Sequence, residues 1–173
     1  MTPIQLNTLQ KFFALGIRNL LIGGQAMRAR GIDRQTHDLD LWIARDSENA
    51  ARMLRFLRRV QNIPPLERLQ QPNFKFTVGN PGDPEVDILT SVAGDPDFES
   101  CYARSQQLQL DNQTVRVAAT IDLLAIKEAA AKLMDIDAMN SDLSGRDRNA
   151  ALHTAAKERK DIVKLTLLFG AGG

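Results

Sequence analysis

The sequence predicts an α/β (α+β) fold: a small mixed β-sheet flanked by helices, with a helical C-terminal segment. Three observations predict it. The apolar pattern switches from helical steps to short runs and back. Gly23-Gly24 and Asn80-Pro-Gly-Asp-Pro84 punctuate the short runs as turns. Two long helical patterns then fill the C-terminal part. At 173 residues the chain reads as one domain, 1–173, with a core over about 17–118 and a helical layer over about 119–169.

The elements follow in order. Ile4, Leu6, Leu9, Phe12, Phe13 and Leu15 recur at three- and four-residue steps, an amphipathic helix stopped by Gly16. Leu20-Leu21-Ile22 is a buried strand running into Gly23-Gly24, and Gln25 to Arg30 forms one or two helical turns closed by Gly31. From Asp38 to Ile43 polar and apolar residues alternate, so Asp38 and Asp40 share one strand face while Leu39 and Leu41 share the other. Ser47 offers an N-cap to a helix carrying Ala50, Leu54, Leu57 and Gln61 towards Pro64-Pro65. Strands over 74–79 and 85–90 flank the Pro-Gly turn, and Leu108–Leu110 and Val115–Val117 flank Asp111-Asn112 as a hairpin. Ile121 to Met134 is a helix with Ile121, Leu124, Ala125, Ala129 and Leu133 on one side. Asp135 to Asn149 reads as a loop, and a last helix runs over about Ala150–Phe169 before a frayed glycine tail.

Composition excludes several classes. With 22 Lys+Arg against 21 Asp+Glu the net charge is +1, which argues against a protein whose main task is coating nucleic acid. A lone cysteine, Cys101, forms no internal disulfide and points to a cytoplasmic protein. With His37 and His153 as the two histidines, a structural zinc site is excluded, and Cys101 and His153 sit in no chemical motif. The start, Met1 to Phe13, lacks the basic and long apolar regions of a signal peptide, and no run reaches the ~18 apolar residues of a membrane helix.

Three features converge on one site. Gly23-Gly24 lies between a strand and a helix, where glycine admits a ligand to the backbone and free N–H groups attract phosphate oxygens; alone such a pair is more often a plain turn. Asp38 and Asp40 stand about 7 Å apart on one strand face, where a hard divalent cation such as Mg²⁺ would relieve their repulsion, the alternative being a solvated acidic face. Asp87, inside Val86-Asp87-Ile88-Leu89, is either outward-facing or a third metal ligand. Three acids on adjacent strands can hold two cations about 3.5–4 Å apart for in-line nucleotidyl transfer. Glu85 shares the face of Asp87 but borders the turn, while Asp95, Asp97, Asp135 and Asp137 follow no glycine turn and read as solvated acids or caps. A dehalogenase-type phosphatase wants an apolar strand before its first acid, whereas Arg34-Gln-Thr-His37 precedes Asp38 here. A glycosyltransferase of the Asp-x-Asp kind usually needs a longer chain, and an HD-type phosphohydrolase needs more histidines. Arg52, Arg55 and Arg59, with Arg58 beside them, form a basic helix face, either solvated or steering an acidic acceptor such as tRNA. Trp42 reads as core rather than as a base-stacking platform.

Leu21-Ile-Gly-Gly-Gln-Ala26, Gly31, Arg34-x-Thr36-x-Asp38-Leu39-Asp40-Leu41 and the later Val86-Asp87-Ile88 together resemble the signature of the DNA polymerase β-type nucleotidyltransferases. The resemblance is to stand-alone members, the AbiEii-type toxins and minimal nucleotidyltransferases, and covers residues 20 to 90. A looser similarity continues at Ile121–Lys127 and Lys157–Leu165.

The resemblance implies a Mg²⁺-dependent enzyme moving an NMP group from an NTP donor to an acceptor hydroxyl on a tRNA, a protein or a small molecule. Asp38, Asp40 and Asp87 would hold two Mg²⁺ ions, with Mn²⁺ as a substitute, and the NTP phosphates would rest on Gly23 and Gly24. Arg34 would contact phosphate or pair with an acid, and Thr36 would hydrogen-bond in the lead-in loop. Lys127 or Lys157 would neutralise triphosphate charge, each alternatively being a helix-surface lysine. The competing expectation is a non-catalytic nucleotide-binding or interaction module, one half of a toxin–antitoxin pair with a cognate protein partner.

Overall fold

The structure, a computed structural model, describes residues 1–58, 64–79 and 86–171. Arg59, Glu85 and the Asn80–Pro84 turn lie outside them, so the basic helix face is described only through Arg52, Arg55 and Arg58. The chain divides into two compact units: Met1–Val92 with Asp97–Ala118, and Ala93–Pro96 with Ala119–Gly173.

The first unit is built on a six-stranded mixed sheet among the described residues. Helix α1 (Pro3–Ala14) precedes β1 (Asn19–Ile22), α2 (Gly23–Ala29), β2 (Leu39–Ile43), α3 (Ser47–Leu57) and α4 (Leu66–Gln70). Then come β3 (Lys75–Val78), β4 (Val86–Leu89), α5 (Phe98–Arg104), β5 (Gln106–Leu110) and β6 (Gln113–Val117). The strand order is β3-β4-β2-β1-β6-β5. β1 runs antiparallel to β2 and parallel to β6, β2 runs parallel to β4, and β3–β4 and β5–β6 are antiparallel pairs. The central strands are largely apolar, with Leu20, Leu21, Leu39, Leu41, Ile43 and Ile88 fully buried, and carry Asp40 and Asp87 as their acidic positions.

Trp42 is core. It is 2% exposed, packs edge-to-face on Phe98 at 5.0 Å, and donates its indole N–H to Thr90 O at 3.3 Å. Three local expectations shift. Helix α1 buries Gln5, Thr8, Leu9 and Phe12 and turns Phe13 outward, because the Gln5 amide is satisfied by the chain around it. Asp46, one residue before Ser47, caps α3 by accepting from the Asn49 N–H at 2.8 Å. Helices α4 and α5 occupy segments without an apolar stripe long enough to read, and Asp97 caps α5 through the Ser100 N–H and hydroxyl at 2.8 and 2.7 Å.

The second unit is a helical hairpin, α6 (Thr120–Met139) and α7 (Gly145–Ala171). The stretch read as a loop, Asp135 to Asn149, is a turn only over 140–144; α6 runs on to Met139 before it and α7 starts at Gly145 after it. Ser144 provides the start: its hydroxyl accepts from the Asp147 N–H at 3.1 Å and donates to the Asp147 carboxylate at 2.6 Å, so Gly145 opens a helix rather than breaking one. The buried face of α6 also differs from the apolar stripe, since Asp122, Leu123, Lys127 and Ala131 are inside while Ile121 and Leu133 are about half exposed. Lys127 accounts for the rotation, for it reaches Glu158 at 2.7 Å and Asp161 at 2.9 Å on α7. Arg159 adds an exposed bond to Asp135 at 2.6 Å.

Candidate active site

The sheet brings two of the expected acids side by side. Asp40 lies opposite Asp87 in the parallel β2–β4 register and opposite Ile22, the last residue of β1, on its other side. Register partners on neighbouring strands point the same way, so both carboxylates lie on one sheet face beside the turn into α2. Asp38 precedes β2 and is exposed, Asp40 is half-buried, and Asp87 is 8% exposed.

The two glycines are shaped around side chains of the motif that follows them. Gly23 has φ +65°, a left-handed conformation, and a Cβ there would overlap Asp40 Oδ2 and fall 2.9 Å from Asp40 Cγ. A Cβ on Gly24 would fall 2.7 Å from both Cβ and Oγ1 of Thr36. Asp40 therefore lies against the backbone of the strand-to-helix turn, and Thr36 closes over the next residue. Arg34, in the same lead-in loop, donates to Gln35 O.

Residues outside the sequence motif complete the arrangement. On β3, Thr77 is the register partner of Asp87 and donates its hydroxyl to Oδ1 at 2.7 Å. Lys75, two residues earlier on the same face, places its ammonium 2.7 Å from Asp87 Oδ2. The alternation Lys75-x-Thr77 in a four-residue strand was a legible signal, but only with the β3–β4 register known. Gln5 is 1% exposed; it completes the α1 capping box with Thr2 and donates its amide to His37 O at 2.5 Å, tying the first helix to the loop that delivers Asp38.

Carboxylate oxygens are the hard donors that suit Mg²⁺, and the Lys75 ammonium shows a positive charge already accepted at Asp87. The chemistry of Asp38, Asp40 and Asp87 thus fits a divalent cation. Among the described residues, though, no three His, Cys, Asp or Glu side chains are drawn together as a ready-made metal centre. Asp87 is committed to Lys75 and Thr77 instead.

One solved structure, a candidate nucleotidyltransferase from Thermotoga maritima, superposes with a TM-score of 0.51 over 79% of this chain and 88% of that chain at 15% identity. The fold is of the nucleotidyltransferase type. At that identity the likeness concerns the fold alone. The antibiotic-resistance factor ANT(2″)-Ia is similar more loosely, with a TM-score of 0.47 over 99% of this chain and 92% of that chain at 19% identity. Its complex with adenylyl-2″-tobramycin gives 0.44 over 98% of this chain and 99% of that chain at 17% identity. The sequence matches no protein-family model and no curated protein.

The remaining expected residues lie elsewhere. Lys127 and Lys157 belong to the second unit. Lys127 is buried with its charge balanced by Glu158 and Asp161, a helix-to-helix strut, while Lys157 is exposed on α7. In the basic row of α3, Arg52 bonds Gly16 O at 2.6 Å and Glu48 at 2.5 Å, and Arg55 and Arg58 are exposed. Cys101 is fully buried. Among the described residues no helix is long and apolar enough to cross a membrane.

Proposed function

We propose that this protein is a nucleotidyltransferase, moving an NMP group from an NTP to an acceptor hydroxyl with Mg²⁺ held by Asp38, Asp40 and Asp87. One observation carries the reading: Asp40, register partner of Asp87, rests directly on the Gly23 backbone at a strand-to-helix turn that only glycine can form there. The nucleotidyltransferase-type fold supports it as a setting for that chemistry.

In this reading the free N–H groups where β1 passes into α2 receive the phosphate oxygens, with Gly23 and Gly24 keeping the approach clear of side chains. Thr36 closes the lead-in loop over Gly24, Gln5 fixes its far end through His37 O, and Arg34 in that loop would contact phosphate. The Asp38 and Asp40 carboxylates orient the reacting phosphate and the acceptor hydroxyl. Asp87 begins as the partner of Lys75 and Thr77, so its recruitment requires the Lys75 ammonium to leave Oδ2. Lys75 is half exposed, so its long side chain has room to do so. The bound metal would supply charge neutralisation at the phosphates and a lowered pKa for the attacking hydroxyl. The ammonium of Lys127 is matched by two carboxylates on α7, so the motif resemblance alone supports a role for Lys127 or Lys157 in triphosphate neutralisation.

The acceptor class, whether tRNA, protein or small molecule, and the finer kinship with AbiEii-type toxins and their cognate partners are supported by the motif resemblance alone. The test is incubation with labelled NTPs and a cell extract. Asp38→Asn and Asp40→Asn should each abolish labelling, with far-UV circular dichroism showing that each variant still folds. Full activity in either variant would show that these acids hold no reacting group.

A further inference from the structure

A cavity of about 520 Å³ opens within the first unit, lined by residues that the proposed chemistry does not use. That is ample for a small organic ligand, for which pockets run from about 300 to 1,000 Å³. It begins at Asn19, the residue of β1 opposite Ile43, whereas the diglycine turn follows Ile22, opposite Asp40. The two sites are therefore separated by the length of the strand, about 10 Å.

Its wall is apolar, with Phe12 and Ile17 buried behind it. At its lip stands Phe13, 83% exposed, an orientation that the helical stripe of α1 does not require. Tyr102 forms one side, with a guanidinium over its ring from each of two arginines: Arg18 at 4.9 Å and Arg116 at 4.5 Å from the centroid.

The two arginines differ in what balances them. Arg18 is bound by Glu99 and lies 3.6 Å from Asp46, so its charge is spent within the protein. Arg116 donates to the Ser105 hydroxyl at 3.0 Å, faces the neutral amide of Gln107 across the β5–β6 ladder, and among the described residues meets no carboxylate. The cavity thus offers one oriented, uncompensated guanidinium beside an apolar wall and an outward phenyl ring. A single guanidinium matches a carboxylate in both charge and fork geometry, whereas a phosphate dianion would call for a second cation.

We propose that this cavity is a second ligand site, taking a flat aromatic carboxylate with Arg116 as its anion-binding residue and Phe13 as its stacking lip. Tyr102 makes the test direct, because it is the single tyrosine of the chain and lines the site. Intact protein is titrated with 2-naphthoate while the Tyr102 ring resonances are followed by NMR. A saturable shift is expected, with the dissociation constant at least about tenfold higher for the neutral 2-naphthamide and for Arg116→Gln, the loss expected when a charge-assisted hydrogen bond goes. Thr114→Trp, which fills the cavity, should abolish the shift. No saturable shift at millimolar 2-naphthoate, or equal binding of acid and amide to the unaltered protein, would overturn the assignment without any variant having to fold.

Discussion

Replacing Gly23 by alanine should destabilise the first unit strongly, and most of the loss should depend on the Asp40 carboxylate. The backbone part comes from φ +65°, which costs an L-residue about 1–2 kcal/mol. The packing part comes from the new methyl, which would overlap Asp40 Oδ2 and sit 2.9 Å from Cγ. Either Asp40 leaves its rotamer or the turn shifts, an overpacking penalty of about 1–3 kcal/mol. The two together predict a loss of about 2–5 kcal/mol. In an Asp40→Ala background only the Cβ–Cβ approach of 3.2 Å persists, so Gly23→Ala should then cost about 1–2 kcal/mol. The coupling energy of the cycle should be about 1–3 kcal/mol. Urea unfolding followed by the emission of Trp42, buried on β2 two residues from Asp40, reads the relevant unit. Equal costs in the two backgrounds would refute the contact between Asp40 and the turn, and with it the geometry on which the proposed site rests.

Two further outcomes follow from the ion pairs and caps. Lys127→Met removes the buried ammonium that bridges Glu158 and Asp161, and should lower the stability of the helical hairpin by about 3–5 kcal/mol in thermal melts followed by far-UV circular dichroism. Adding Glu158→Gln and Asp161→Asn should recover most of that; a neutral single variant would contradict the strut. Asp97 accepts hydrogen bonds from the Ser100 side chain and backbone, which hold its carboxyl below the usual range. A depressed folded value means the α5 cap is fully formed above the ordinary carboxylate pKa of about 3.9 and is lost as pH falls through the lower folded value. The Ser100 amide resonance should report a midpoint below that ordinary value, and a midpoint at or above it would show that the cap does not form.

The fold was legible wherever a run of apolar residues was both periodic and bounded by glycine or proline. β1, α2, β2 and the β5–β6 hairpin sit within a residue or two of where their patterns place them. Reading failed where polar residues turn inward. The buried Gln5 and Thr8 rotate α1, and the buried Asp122 and Lys127 rotate α6, because each polar group finds a partner that sequence periodicity does not display. The Asp135–Asn149 stretch failed for another reason: Ser-Gly reads as a break unless Asp147 is recognised as the partner of Ser144. In the candidate site, the motif exposed both glycines and all three acids but not what touches them. Lys75 and Thr77 come from a strand whose register with β4 is a long-range property, and Gln5 comes from a helix with no motif at all.

The pairing of Asp40 with Asp87 has a consequence for biosynthesis. The two acids come from distant stretches of chain and meet only through a parallel pairing, so contact waits for a long loop to close. A polypeptide still emerging from the ribosome owns the diglycine turn and its first two acids well before β4 is available to dock. Until that strand arrives, bringing Asp87, the growing chain has only part of the proposed machinery.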